Sequence, residues 1–278
     1  MVFRIIGYGS PPCNLRRSLA LMELLGLQTD IAWHDPAANL AAISAMLEAA
    51  RPAPGALVVL PEMCASGFSR DVSGATAGLA ETEAGLALQA KKHGIALMAG
   101  LAGSAGSCGA NESVTWGPDG RELARYRKLQ PFSMAGEAES YPAGDKVVTF
   151  QWGGFTIAPF ICYDLRFPEI FRAAVDKGAE LFAVIGNWPN RRHQHWTTLL
   201  KARAIENQAA VIGVNRAGTD PEFTYAGGSL ILGPQAEVLA EAGDAPGFIR
   251  AEISPDQVRD WRAQFPALRD RRNDYAQL

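Results

Sequence analysis

Four stretches of this chain carry no polar side chain at all: Ala56-Leu57-Val58-Val59-Leu60, Ile95-Ala96-Leu97-Met98-Ala99-Gly100-Leu101, Leu181-Phe182-Ala183-Val184-Ile185 and Ala210-Val211-Ile212-Gly213-Val214. Each is too short for a helix buried on every side and too apolar for a strand with one wet face. Runs of this kind are expected of parallel strands covered on both faces. Residues 22–28 and Phe155-Thr156-Ile157-Ala158-Pro159-Phe160-Ile161 read as two more. Helical segments separate them. Asn39 is placed to cap a helix to about Arg51, with Leu40, Ile43, Met46 and Leu47 as its apolar stripe. Glu83 to His93 reads as a helix stopped by Gly94, and further helices are expected over Pro168–Lys177, His193–Gln208 and 255–263. Hairpins lie between and after these units. One pairs Ser113–Trp116 with Glu122–Tyr126 around Pro118-Asp119-Gly120, and others involve 147–151, 229–232, 236–239 and 248–253. Residues 64–78 and 133–145 read as loops, and the Gly/Ser-rich stretch 103–110 as a surface turn. The expectation is one α/β domain of mixed sheets with helices outside.

Length and charge narrow the function. A 278-residue chain with net charge −3 suits a large α/β domain and offers no basic face for nucleic acid. No apolar run reaches the roughly 20 residues that span a bilayer. The four cysteines (Cys13, Cys64, Cys108, Cys162) form no C-x-x-C pair, and the four histidines do not fall at ligand spacing with them. No metal site and a reducing, cytoplasmic setting are the expectations. Arg16 and Arg17 before an apolar segment imitate a secretory leader, but Glu23 interrupts the segment and no small-residue cleavage site follows. Residues 1–20 therefore read as an extension outside the domain, 21–270 as the domain and 271–278 as a tail.

Three ionisable residues share one placement. Glu62, Lys128 and Cys162 each follow an apolar strand. If those strands are neighbours, a carboxylate, an ammonium and a thiol meet at one rim, where α/β proteins carry their chemistry. A thiol with an ordinary pKa near 8.5 is activated by an adjacent cation. A carboxylate can take its proton and return it to a leaving group. Taken singly, Cys162 reads equally as a small buried hydrophobe, Glu62 as a cap and Lys128 as surface charge.

Leu60-Pro61-Glu62, Tyr126-Arg127-Lys128 and Ile161-Cys162-Tyr163-Asp164-Leu165-Arg166-Phe167-Pro168-Glu169, in this order, resemble the three signature segments of the nitrilase (carbon–nitrogen hydrolase) superfamily. The resemblance runs from about residue 22 to 270 and includes Asn187-Trp188-Pro189 and Ala202–Asn207. Tyr163-Asp164, where true nitrilases usually carry Trp-Glu, is similar to the short amidase branch, above all the omega-amidases that act on 2-oxo acid monoamides such as 2-oxoglutaramate. The resemblance implies a four-layer α-β-β-α sandwich of two mixed β-sheets and cofactor-free hydrolysis of a small-molecule amide by water through a Cys thioester. It also implies a homodimer or higher homo-oligomer. Cys162 is then the nucleophile, Glu62 the general base and acid, and Lys128 with the backbone N–H of Tyr163 the oxyanion site. Glu137 matches a second glutamate that positions the lysine, with a solvated loop carboxylate as the alternative.

Substrate contacts are less constrained. Arg166 suits a substrate carboxylate, because a guanidinium grips a carboxylate bidentately, or an ion pair with Asp164 or Glu169. Trp188 and Phe68 read as pocket walls or simply as core. His193 and His195 begin a helix, Cys64 reads as packing, and Cys13 and Cys108 have no role. The same site would also serve deaminated-glutathione or N-carbamoyl amide hydrolysis. A silent binding protein with this fold is the alternative from another class, against which the complete Glu-Lys-Cys set argues.

Overall fold

The computed structural model describes residues 21–106 and 108–272. The expected N-terminal extension, with Cys13, Arg16 and Arg17, lies outside them, as does most of the expected tail. In chain order the regular elements are β1 (Met22–Gln28), α1 (Pro36–Ala50), β2 (Leu57–Val59), α2 (Val72–Ala75), α3 (Leu79–His93), β3 (Ala96–Ala105), β4 (Cys108–Trp116) and β5 (Glu122–Arg127). There follow α4 (Glu137–Ser140), β6 (Phe150–Trp152), β7 (Phe155–Ile161), α5 (Pro168–Asp176), β8 (Leu181–Gly186), α6 (His193–Asn207) and β9 (Ala210–Asn215). The chain closes with β10 (Ala217–Thr219), β11 (Thr224–Ala226), β12 (Leu230–Leu232), β13 (Val238–Glu241), β14 (Gly247–Ile253) and α7 (Pro255–Gln264).

Two six-stranded sheets face each other, in the orders β14-β1-β2-β3-β4-β5 and β13-β12-β9-β8-β7-β6. The apolar runs form the parallel centre of each: β1, β2 and β3 in one, β7, β8 and β9 in the other. Antiparallel strands complete the edges. Strand alternation divides the core cleanly. Leu24, Leu57, Val59 and Met98 point to the second sheet, while Leu25, Val58, Leu97 and Ala99 point to α1 and α3 through Ile43, Leu47, Leu86 and Ala90. On the far side, Phe171 of α5 and Trp196 and Leu200 of α6 cover the second sheet. This is the four-layer α-β-β-α sandwich. No helix among the described residues is long and apolar enough to cross a membrane.

Two local expectations are corrected and one unit is added. Asn39 is not the cap of α1. Asp35 is, accepting a hydrogen bond from Ala38 N–H, with Pro36 at the first helical position. Asn39 sits one turn in and is buried, where its amide exchanges hydrogen bonds with the Ala32 backbone and donates to Ala65 O, each at 2.8 Å. It ties the start of α1 to the segment after Glu62. The stretch 103–110 is not simply a surface turn: Gly103, Ser104 and Ala105 pair with Ala110, Gly109 and Cys108 as ladder residues of β3 and β4. Small residues are needed there because the Tyr141 ring lies against Gly109, where an added Cβ would come within 2.4 Å of it. Finally, β10 and β11 pair with each other, a two-stranded unit the sequence does not announce.

Candidate active site

The chain places its chemistry at the C-terminal ends of the parallel strands, where a crevice forms between the sheets. Glu62 follows β2 after Leu60-Pro61. Cys162 follows β7, Asn187 follows β8, and Lys128 ends β5 of the first sheet. Cys162 and Met63 both adopt positive φ, at 47° and 44°. Non-glycine residues pay for that conformation only where surrounding structure enforces it. Gly100 of β3 makes room for the Glu62 backbone, since a Cβ there would stand 2.4 Å from the Glu62 Cα.

Glu62, Lys128 and Glu137 are brought together and are almost completely withdrawn from solvent, at 0%, 2% and 0% exposure. The Lys128 ammonium donates to Glu62 Oε1 at 3.0 Å and to Glu137 Oε1 and Oε2 at 3.0 and 2.8 Å. The Asn111 amide donates to Glu62 Oε1 and Glu137 Oε1, both at 2.7 Å. Backbone N–H groups finish the set, Asn187 N–H on Glu62 Oε2 and Phe132 N–H on Glu137 Oε2. Two carboxylates thus share one cation and one amide. Burial works against the Lys128 charge, but Glu137 and Glu62 outweigh it and hold its pKa well above the ordinary lysine value.

The thiol behaves differently from the expectation of a cation-lowered pKa. Burial and the Glu62 carboxylate push the Cys162 pKa well up, and Lys128 opposes them without prevailing. Burial is the larger cause, and the Lys128 ammonium beside the thiol is already shared by two anions. The resting group is therefore a neutral thiol. Cys64, two residues beyond Glu62, is buried on the helix side of the sheet, where desolvation raises its pKa to about 12. It stands in the packing role expected for it.

Asp164 is neither free nor paired with Arg166. Its carboxylate accepts from Tyr126 O–H at 2.7 Å, Ile161 N–H at 2.9 Å and Gln130 N–H at 2.9 Å. Tyr126 and Gln130 flank Lys128, so Asp164 staples the lysine strand to the turn that carries Cys162. Burial lifts its pKa to about 7, against those three donors.

A pocket of about 460 Å³, mouth included, opens over Cys162, Glu62 and Lys128. Phe68, Phe132, Trp188 and Tyr225 wall it. Phe68 lies over the lysine, 5.6 Å from ring centre to Nζ. Two guanidinium groups also line it. Arg166 stacks on Trp188 at 4.8 Å and meets His195 Nδ1 at 3.2 Å. Arg192 stacks on Phe132 at 5.2 Å. Among the described residues neither forms an ion pair with a carboxylate. Burial, Arg191 and Arg166 together press the Arg192 pKa downward, which records cations crowded without a counter-ion.

The residues singled out from sequence therefore converge on one pocket: Glu62, Lys128, Cys162, Tyr163, Arg166, Trp188 and Phe68 line it, and Glu137 supports its floor. Three were missed. Asn111 falls between the stretch read as a surface turn and the strand expected from Ser113, where no pattern marks it, and the structure places it within β4. Arg192 follows Arg191 in a turn with no periodicity to sort one from the other. Tyr225 arrives on the two-stranded β10–β11 unit.

The comparisons with known proteins agree on family and fold. A model of the carbon-nitrogen hydrolase family matches residues 25–263. The chain is 38% identical over 259 residues to the omega-amidase YafV of Yersinia enterocolitica, covering 91% of this chain and 97% of that one. It is 34% identical over 256 residues to the 2-oxoglutaramate amidase of Bacillus subtilis, covering 89% and 96%. A solved CN-hydrolase superfamily protein of Xanthomonas campestris, with an arsenic adduct in its active site, superposes with a TM-score of 0.83 at 31% identity over 91% of this chain and 98% of that one.

Proposed function

The chain belongs to the carbon-nitrogen hydrolase family and is an amidohydrolase, and within that class we propose that it is an omega-amidase, releasing ammonia from a 2-oxo dicarboxylate monoamide such as 2-oxoglutaramate. The observation that carries the reading is the pair Arg166 and Arg192. Two guanidiniums without carboxylate partners line the same aromatic-walled pocket as the thiol. Stacked on Trp188 and Phe132, each leaves N–H edges free for an anionic substrate end.

The roles follow from the contacts. Cys162 Sγ attacks the amide carbon as Glu62 takes its proton, which suits a thiol that rests neutral. The C=O pair moves onto oxygen, and the oxyanion is met by Lys128 and by the backbone N–H of Tyr163, in the first turn of the short 3-10 segment after Cys162. All of the lysine's contacts run to Glu62 and Glu137 at rest. Once Glu62 holds a proton it binds the ammonium less strongly, so a lysine N–H is released as the oxyanion forms. The tetrahedral adduct collapses, the C–N bond breaks, and Glu62 returns the proton to the departing ammonia. Water then gives a proton to Glu62 and its oxygen to the thioester carbon. The C–S bond breaks, Sγ recovers the proton, and the 2-oxo diacid leaves. Glu137 acts by holding Lys128.

Ammonia release should be followed for 2-oxoglutaramate, for neutral aliphatic amides and for an N-carbamoyl compound, with deaminated glutathione scored by peptide release. The 2-oxo acid monoamide is expected to lead. Arg192→Ala and Arg166→Ala should each raise its KM by about 10- to 100-fold, the cost of one hydrogen-bonded charge contact, with a smaller effect on a neutral amide. Equal effects on both substrates would return the two arginines to a structural role and remove the anionic end from the reading.

A further inference from the structure

Asn111 is absent from every role assigned above, yet it touches both buried carboxylates. We infer that Asn111 is a positioning residue that holds Glu62 and Glu137 as one fixed pair and so keeps the Glu62 carboxylate set as the proton acceptor for Cys162. The inference rests on Glu62 being the base, as proposed.

Three features of the contact support it. Both hydrogens of the Asn111 amide are used, one on Glu62 Oε1 and one on Glu137 Oε1, each at 2.7 Å. The opposite orientation would set the amide oxygen against two carboxylates, so charge alone fixes which way the group points. Its Oδ1 is buried and, among the described residues, has no hydrogen-bond partner. Leaving a buried carbonyl unpaired is unfavourable, which fits a group kept for its donors. The same residue also fixes the cation: Asn111 lies next to the β4–β5 pairing, and its backbone O accepts from Lys128 N–H at 2.9 Å. One residue therefore sets the lysine's backbone and both of its carboxylate partners.

The chemistry explains the need. Two carboxylates and one ammonium leave an excess negative charge in a site without water-like screening. Like charges this close repel, and without donors between them the carboxylates would not keep the geometry a base needs. A neutral double donor stabilises both anions at once and, being uncharged, leaves the ammonium as the charge available to the oxyanion. The other titratable groups facing Glu62 are Lys128, Cys162 and the phenols Tyr141 and Tyr225, and none supplies a second donor of this kind.

The test uses Asn111→Ser, which retains at most one donor, and the isosteric Asn111→Asp. Ammonia release and the rate of Cys162 alkylation by iodoacetamide are each followed against pH, with Tm recorded for both variants. For Asn111→Ser, kcat is expected to fall about 10- to 100-fold with KM changed little, and the acid limb of both profiles should move to higher pH. In Asn111→Asp the activity relative to the natural protein should recover as pH falls, because a protonated Asp side chain regains a donor. Profiles of unchanged shape with a lowered Tm would make Asn111 a packing residue and overturn the inference. Alkylation needs no amide substrate. A shifted alkylation profile in a protein inactive on 2-oxoglutaramate would sink the substrate reading and leave the role of Asn111 standing.

Discussion

Cys162→Ser is expected to lower kcat for ammonia release by about 10⁴-fold or more, with the fold intact and Tm within a few degrees of the natural protein. The substitution keeps the shape of the site. Serine enters the same turn with no larger a penalty at φ 47° than cysteine has, and it loses only a little packing against the second sheet. What changes is the proton. A hydroxyl holds its proton far more tightly than a thiol, and the surroundings already resist forming an anion at this position through burial and the charges of Glu62 and Glu137. Lys128, which opposes them, is committed to those same two carboxylates. Glu62 is then too weak a base for the task. Initial rates of ammonia release, with mass spectrometry to exclude contaminating natural enzyme, decide the matter. Retention of even a hundredth of the activity would mean that another group attacks the amide.

Lys128→Met should damage both stability and activity. Removing the ammonium leaves Glu62 and Glu137 buried without a cation, and breaking a buried pair from one side costs about 3–5 kcal/mol, on the order of 10 °C in Tm for a chain of this size. The pH dependence has a definite sign. In the natural protein the lysine's folded pKa lies above its unfolded value, so its contribution is full below that unfolded value and is lost as pH climbs through the folded one. In the variant the two carboxylates hold protons more tightly folded than unfolded, so stability should rise as the solution is acidified. Adding Glu137→Gln to Lys128→Met removes one of the stranded charges and should recover much of the Tm. It should not recover catalysis, because no cation then faces the oxyanion. Thermal melts across pH 5 to 9 measure the first effect and ammonia release the second. A double variant as unstable as the single one would show that the ion cluster is not what the lysine stabilises.

Much of the architecture is legible in the chain because burial on both faces leaves a local mark. The runs ending at Leu60, Leu101, Ile161, Ile185 and Val214 are the central strands, and their ends mark Glu62, Cys162 and Asn187. Elements whose cause is a distant partner leave no such mark. Gly103 to Ala110 looks like a turn because the neighbours that need its glycines lie elsewhere in the chain or across the ladder: Tyr141 over Gly109 and Glu112 beside Gly103. The β10–β11 unit depends on Arg216, which is buried and reaches Asp30 and Ile31 from the far end of the chain. Arg192 could not be told from Arg191 until Phe132, far earlier in the chain, was found beneath it.

The sequence by itself determined the fold class, the side of the sheets where chemistry sits and the types of group present there, because these follow from hydrophobic patterning and from three short local motifs. Only the tertiary structure decided how those groups share charge. Glu62 meets Lys128 across 66 residues of chain and Asn187 across 125, and Asn111 enters between two carboxylates that no motif links to it. Coulombic and desolvation energies depend on distance and burial, not on order along the chain. The residue types alone suggested a thiolate beside a cation. The packed arrangement makes it a neutral thiol, because burial disfavours its anion and two buried carboxylates reach the lysine first.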